Sequence, residues 1–544
     1  MARWTSLLAL LIVVSSGLHF FGNNVADPDL WGHLHFGQRI WREAAVPRAD
    51  VFSYTAAGAP VVEHEWLAEL LLAAVYGGAG SVGLLLLKLV AAALTILLIL
   101  DATRSASAVL DREGCHPLVA AAALVLAFAV LSPGVEFRPQ LFTILMLALE
   151  MDLLARSDRR LLEPGARRRV SWELAAIPLV LLVWANLHGG FLVGLGLLWL
   201  FAGVIVARAV ASDRAAVCPG PGERRAMTGR DVWLVLLVCA VGTAAPLLNP
   251  YGVGLYVYLA RTLDVHHEIS EWYPVELWST EFLRFKLLVA ATAAGTLLLW
   301  TRRRTLGGVG RLLDWRAPAA LAGALFAFRH QRHTVLFAVI AAPLVIVAAE
   351  QARRMALRRW PALAPRKPVL GAIGAGVAVI SLVQVGGFLQ MLQRDGWTIR
   401  YGRLDYPVDT VEFLRRSGLH GNIAMPFEWG EYAIWKLAPE SRVFIDGRFE
   451  TVYPATVIDD YFRFMHGEPG WERLLDAYPT DIVVVQRWRE IHPRLFARPD
   501  LTYVYSDPAA LVFVRRSPTT AAALDRLTMV ADRTDFPHPE TVFP

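Results

Sequence analysis

Across residues 1–392 the chain alternates apolar runs with short charged connectors. The runs fall at roughly 4–21, 81–101, 116–133, 139–155, 175–189, 191–207, 232–248, 286–300, 317–329, 333–350 and 370–392. A helix needs ~20 apolar residues to cross a bilayer, so the pattern predicts an α-helical polytopic membrane protein of about eleven spans. The stretches 63–78 and 252–265 are also apolar. Each reads either as a short span or as a helix lying on the membrane surface.

From about Trp397 the pattern becomes mixed. Helical periodicity marks 409–417, 429–437, 455–465 and 471–477, strands read at 421–425, 442–445 and 481–485, and 501–505 with 510–515 reads as a hairpin. Strands alternating with helices predict a C-terminal α/β domain over 393–544. The remainder, 1–392, reads as a transmembrane domain whose first outer loop is 22–80.

Composition fits this division. The 544 residues are 55% hydrophobic with a mean hydropathy of +0.43, too apolar for a soluble protein. Eighteen tryptophans suit aromatic belts at two interfaces. The net charge of +5 does not point to nucleic acid, because the arginines sit between apolar runs. The connectors 102–115, 156–174, 208–231, 301–316 and 351–369 carry most of the arginines of residues 1–392, which places those loops in the cytoplasm. The N-terminus then reads as a cytoplasmic, retained signal anchor in the inner membrane, with a cleaved signal peptide as the alternative, and loop 22–80 and residues 393–544 lie outside. The three cysteines, Cys115, Cys218 and Cys239, are absent from the C-terminal domain, so no disulfide staples it.

The same topology gathers the unusual polar residues on the outer face. They are Asp27-Pro28-Asp29, Glu136 to Gln140, Asn186 to Gly190, Asn249 to Gly252, His266-His267-Glu268 with Glu271-Trp272, and Arg329 to His333. Ionisable groups at membrane depth are costly and tend to mark functional cavities. Pro28 favours an extended Asp27, and Asp29 is placed to cap a helix running to about Ala44, with Leu30, Leu34, Gly37 and Trp41 along one stripe. Trp31 and Trp41 would then lie at headgroup level. A cap is the plain alternative to a catalytic Asp29. In the C-terminal domain two clusters combine aromatics with carboxylates, Phe427 to Tyr432 and Phe444 to Glu450. They read as a binding cleft or as ordinary α/β packing. The sequence has no Walker loop, dinucleotide fingerprint or zinc-spaced Cys/His set.

These features resemble the GT-C superfamily of integral membrane glycosyltransferases: a many-spanning bundle, an acidic motif in the first outer loop and an outward C-terminal domain. Asp27-Pro28-Asp29 is similar to the superfamily's Asp-x-Asp motif. Phe427-Glu428-Trp429-Gly430-Glu431-Tyr432 is loosely similar to the Trp-Trp-Asp-Tyr-Gly motif of the oligosaccharyltransferase catalytic subunit, and departs from it at several positions. Dolichyl- and undecaprenyl-phosphate-sugar mannosyltransferases are related in the same loose way. The resemblance implies a polyprenyl-phosphate-linked sugar as donor and transfer at the outer face to a glycan, lipid or protein. Asp29, or else Asp27, would be the general base. Arg138, Arg329 and Arg332, supported by His330 and His333, would hold the donor phosphate. His33, Glu63, Glu65, His188, Trp429 and Glu431 would contact acceptor or sugar. A divalent cation, Mg or Mn, on Asp27 and Asp29 can share the charge. The competing class is a transporter or flippase of lipid-linked glycans, which would carry internal repeats and midplane charges.

Overall fold

The computed structural model describes residues 2–110, 114–162, 171–215, 229–262, 269–306, 314–363, 367–529 and 543. The His266-His267-Glu268 patch lies outside the described residues. The chain forms two compact units, one of Met1–Asn23 with Leu86–Gly396, the other of Asn24–Leu85 with Trp397–Pro544.

The helices run in order α1 (Ala2–Phe21), α2 (Leu30–Glu43), α3 (Trp66–Leu110), α4 (Pro117–Leu131), α5 (Gln140–Leu161), α6 (Trp172–Leu187), α7 (Phe191–Ala215), α8 (Gly229–Ala244), α9 (Val253–Thr262), α10 (Leu283–Leu306), α11 (Arg316–Arg329), α12 (Thr334–Arg359) and α13 (Lys367–Asp395). Among the described residues, eight helices are long and apolar enough to cross a membrane: α1, α3, α4, α7, α8, α10, α12 and α13. The other three expected segments are α5, whose second half is charged, and the shorter α6 and α11, of 16 and 14 residues. In the first unit α12 lies inside the bundle, with α4, α10 and α11 packed round it.

Helix α3 is broken at Gly80, where φ is +56° and ψ −148°. Only glycine adopts that conformation without strain. The break separates Trp66–Ala79 from the apolar run after it, so the ambiguous 63–78 stretch is a helical segment of the second unit. The stretch after Gly252 forms the ten-residue α9.

The second unit is built on a five-stranded sheet. Its elements after α13 are α14 (Val408–Ser417), β1 (Asn422–Ala424), α15 (Phe427–Leu437), β2 (Arg442–Val443), α16 (Ala455–His466), α17 (Arg473–Asp476), β3 (Ile482–Gln486), α18 (His492–Phe496), β4 (Leu501–Ser506), β5 (Ala510–Arg515) and α19 (Ala521–Met529). The strand order is β2-β1-β3-β5-β4, parallel at β2-β1-β3 and antiparallel at β3-β5-β4. All five residues of β3 are buried, as a strand covered on both faces requires.

The hydrophobic pattern assigns loop 22–80 to the membrane domain, but Asn24–Leu85 packs with the C-terminal segment. The reason is backbone pairing. The Val443 N–H donates to the Phe52 carbonyl at 3.0 Å and the Tyr54 N–H to the Val443 carbonyl at 3.2 Å, so the loop extends the sheet beyond β2. A second join links Ala26 N–H to the Arg400 carbonyl at 2.7 Å and Arg400 N–H to the Asn24 carbonyl at 2.8 Å. Helix α2 then packs on α15.

A candidate acidic active site

Helix α2 begins where the sequence predicts, at Leu30, with Asp29 in the N-cap position. The capping expectation fails for the side chain, because the Asp29 carboxylate makes no capping hydrogen bond. The turn is held instead by Asp27, whose Oδ1 accepts the Asp29 N–H at 2.9 Å and whose carbonyl accepts the Leu30 N–H at 3.1 Å. Asp27 is thus the structural member of the pair.

The Asp29 carboxylate meets a residue of α15. The Glu431 carboxylate is buried, and its Oε2 accepts the backbone N–H of Gly32 at 3.1 Å. A Cβ at Gly447 would lie 2.9 Å from Glu431 Oε1 and 3.0 Å from Asp29 Oδ1. The two carboxylates therefore converge on one point from separate elements, over a glycine that leaves the space open. A Cβ at Gly32 would lie 2.2 Å from Glu431 Oε2, so Gly32 is what lets the carboxylate dock on α2. Burial pushes the Glu431 carboxyl well above the usual carboxylate range, and the negative charges of Asp29 and Asp446 push the same way against Arg448.

Arg448 anchors the opposite wall. Its Nη2 donates to Asp446 Oδ2 at 2.7 Å and to Asp50 Oδ1 at 2.8 Å, and its Nε donates to Asp446 Oδ1 at 2.9 Å. Its guanidinium also stacks on Phe36 and Phe52. Tyr453 Oη donates to Asp446 Oδ2 at 2.7 Å. This bridge fixes the loop after β2, which carries Gly447, against the first-loop residue Asp50. On the next turn of α2, His33 Nδ1 lies 3.3 Å from Glu69 Oε1. Burial raises the Glu63 carboxyl, with Arg448 opposing.

The structure thus brings Asp27, Asp29, His33, Glu63, Glu65 and Glu431 into one unit. Trp429 is in that unit but not at the site. Its ring is buried and its indole N–H donates to the Asp405 carbonyl at 2.8 Å, so it serves the core rather than a ligand. Trp31 departs from its expected headgroup position in the same way. It is fully buried among Tyr401, Tyr432 and Phe543, and only Trp41 is exposed.

The other expected residues belong to the first unit. Arg138 Nη1 pairs with Glu271 at 2.9 Å, and Arg332 stacks on Trp272 at 4.5 Å. His330 Nδ1 lies 2.8 Å from the Trp272 carbonyl, and His333 packs edge-on to His330. Arg329 is exposed at the end of α11. His188 Nδ1 contacts Thr143 Oγ1 at 2.9 Å and accepts the Gly190 N–H at 2.8 Å, which makes it a helix-joining group. Sequence reasoning missed Asp50, Glu69 and Arg448. Only Arg448 had a signal, its place inside the Phe444 to Glu450 cluster.

For the cation, the described residues contain no group of three or more His, Cys, Asp or Glu side chains arranged to hold a metal. Asp29 and Glu431 supply two hard oxygen donors converging on one point. That suits one edge of a Mg or Mn site completed by substrate oxygens and water. Asp27 fits less well, since its Oδ1 is engaged by the Asp29 N–H.

No protein-family model matches the chain, and no curated protein matches it in sequence. Solved structures do match. The chain is similar to the Archaeoglobus fulgidus oligosaccharyltransferase in its apo form, with a TM-score of 0.57 and 12% identity over 89% of this chain and 69% of that one. It is similar to the same organism's oligosaccharyltransferase AglB in complex with an inhibitory peptide and a dolichol-phosphate, with a TM-score of 0.54 and 12% identity over the same shares. It is also similar to ArnT from Cupriavidus metallidurans bound to undecaprenyl phosphate, with a TM-score of 0.50 and 14% identity over 95% of this chain and 99% of that one. The fold is therefore the one these oligosaccharyltransferase and ArnT structures share, a helical bundle with a C-terminal α/β domain.

Proposed function

We propose that the chain is a membrane glycosyltransferase that moves a sugar from a polyprenyl-phosphate-linked donor to an acceptor at the outer face of the cytoplasmic membrane. The observation that carries this reading is the convergence of Asp29 Oδ1 and Glu431 Oε1 on one point beside Gly447. The fold supports it, since AglB and ArnT are solved with dolichol-phosphate and undecaprenyl phosphate.

In the reaction an acceptor hydroxyl attacks the anomeric carbon of the sugar. The bond from that carbon to the phosphate oxygen breaks, and its electron pair leaves with the polyprenyl phosphate. Asp29 takes the hydroxyl proton as general base. Glu431, docked on Gly32, orients the acceptor beside it. Asp27 sets the turn that aims Asp29. A divalent cation bound by Asp29 and Glu431 would offset charge on the phosphate. Arg138, Arg329 and Arg332 are proposed for that phosphate on their charge, with His330 and His333 in support. His33, Glu63 and Glu65 remain proposed acceptor or sugar contacts.

The test is sugar transfer from a polyprenyl-phosphate-linked donor by purified Asp29→Asn protein. Loss of the base costs about 10²–10⁴-fold, whereas Asn keeps the size and position of the carboxylate. Full activity in a folded Asp29→Asn protein would overturn the assignment.

A further inference from the structure

Trp31, the second residue of α2, is fully buried, and the described residues set five aromatic rings around its indole. Tyr401, Tyr406 and Tyr432 meet it edge-on, with centroids 5.1, 6.0 and 4.9 Å away, and Trp435 lies tilted at 6.2 Å. Phe543 is the nearest of the five, at 4.2 Å. It is 3% exposed, and its ring also meets Tyr76 edge-on at 5.6 Å and Trp435 at 6.3 Å. One side chain thereby packs against α2, the part of α3 before Gly80, and α15, all within the second unit.

The backbone of Phe543 is tied to the same place. Arg400 pairs through both of its main-chain groups with the segment that leads into the acidic motif. Its N–H donates to the Asn24 carbonyl at 2.8 Å, and its carbonyl accepts the Ala26 N–H at 2.7 Å. In extended chain the main-chain groups of successive residues point to opposite edges. The Ile399 carbonyl therefore faces the other edge, where the Phe543 N–H donates to it at 2.7 Å. Phe543 thus adds a third line of chain to the bridge between Val25 and Arg400, and Ala26 runs directly into Asp27.

These contacts bear on the first turn of α2. Trp31 lies two residues after Asp29 and directly before Gly32, whose N–H donates to Glu431 Oε2 at 3.1 Å. Its indole packs on Tyr432, the residue after Glu431. The join of α2 to α15 therefore consists of two consecutive contacts, one polar and one aromatic, and Phe543 backs the aromatic one. A phenyl ring can neither take a proton nor bind a phosphate, so any effect on chemistry runs through position. We propose that Phe543 is a positioning residue for the transfer reaction, its ring on Trp31 holding the first turn of α2 so that the Asp29 carboxylate stays beside Glu431. This rests on the reading of Asp29 as general base.

The test uses the full chain, purified, with an undecaprenyl-phosphate-linked hexose that wild type consumes as donor and release of undecaprenyl phosphate as readout. Phe543→Ala should lower kcat by about 10–10²-fold, the scale of a small misplacement of a reacting group, with KM little changed. Phe543→Leu keeps apolar bulk and the backbone hydrogen bond, and should fold and lose less. Added to Asp29→Asn, Phe543→Ala should cost nothing further, because groups acting as a unit are not additive. Hydrogen exchange over residues 30–36 should quicken in Phe543→Ala while that of β3 stays as in wild type. A residue that only stabilises the domain would lower the melting temperature, leave the kcat of folded protein intact and leave α2 exchange in step with β3. Full kcat in Phe543→Ala beside a crippled Asp29→Asn would refute the positioning role alone, as would losses that multiply in the double variant. Full activity in Asp29→Asn would instead remove the base assignment, and this inference with it.

Discussion

Glu431 Oε2 accepts the backbone N–H of Gly32 across 399 residues of sequence, at 3.1 Å. This contact joins α2 to α15 and sets the Glu431 carboxylate beside that of Asp29. It depends on a side chain being absent at position 32.

Gly32→Ala is therefore expected to disturb the site. The new methyl would lie 2.2 Å from the Glu431 carboxylate, which must move. Overpacking of this kind costs about 1–3 kcal/mol. Thermal unfolding should show that loss, and transfer activity should fall by more than the stability loss explains. Unchanged activity would separate Gly32 from the site.

The raised Glu431 carboxyl gives stability a definite sign with pH. The folded protein binds this proton more tightly than the unfolded chain, whose glutamates titrate near ~4.3. The stabilisation is present below that value and is lost as pH rises towards the folded value. Wild-type melting temperature should thus fall as pH rises above about 4. Glu431→Gln should reduce the slope, although Glu69 and Glu63 leave a residual one. An unchanged slope would assign the proton elsewhere.

Arg448→Met should be among the most damaging changes in the second unit. It keeps apolar bulk at the position but loses the guanidinium stacked on Phe36 and Phe52 and strands the buried Asp446 and Asp50 without a counter-charge. Breaking a buried pair from one side costs about 3–5 kcal/mol. A triple variant that also changes Asp446 and Asp50 to Asn should recover part of it, read by thermal unfolding.

Topology has a direct check. Reporter fusions after Arg304 and Arg400 should give opposite signals, the first cytoplasmic and the second outside. The arginine-rich connectors motivate this expectation. A cytoplasmic signal at Arg400 would remove the outer-face assignment of the site.

The sequence by itself determined the helical membrane bundle, because burial in lipid demands long apolar runs that composition records directly. It also determined the order of elements from α14 to β3, the β4–β5 hairpin and the start of α2 at Leu30, but not α18 or α19, since strand alternation, Asp-Pro turns and helix periodicity are local signals. Only the tertiary structure decided that Asn24–Leu85 extends the C-terminal sheet, that Trp31 is core while Trp41 is exposed, and that Asp27 holds the turn while Asp29 meets Glu431. A tryptophan on an amphipathic helix looks the same in sequence whether it meets lipid or a wall of tyrosines supplied from position 401 onward. The carboxylate pair is equally silent, because its geometry depends on two glycines, Gly32 and Gly447, whose missing side chains matter only once distant segments pack against them.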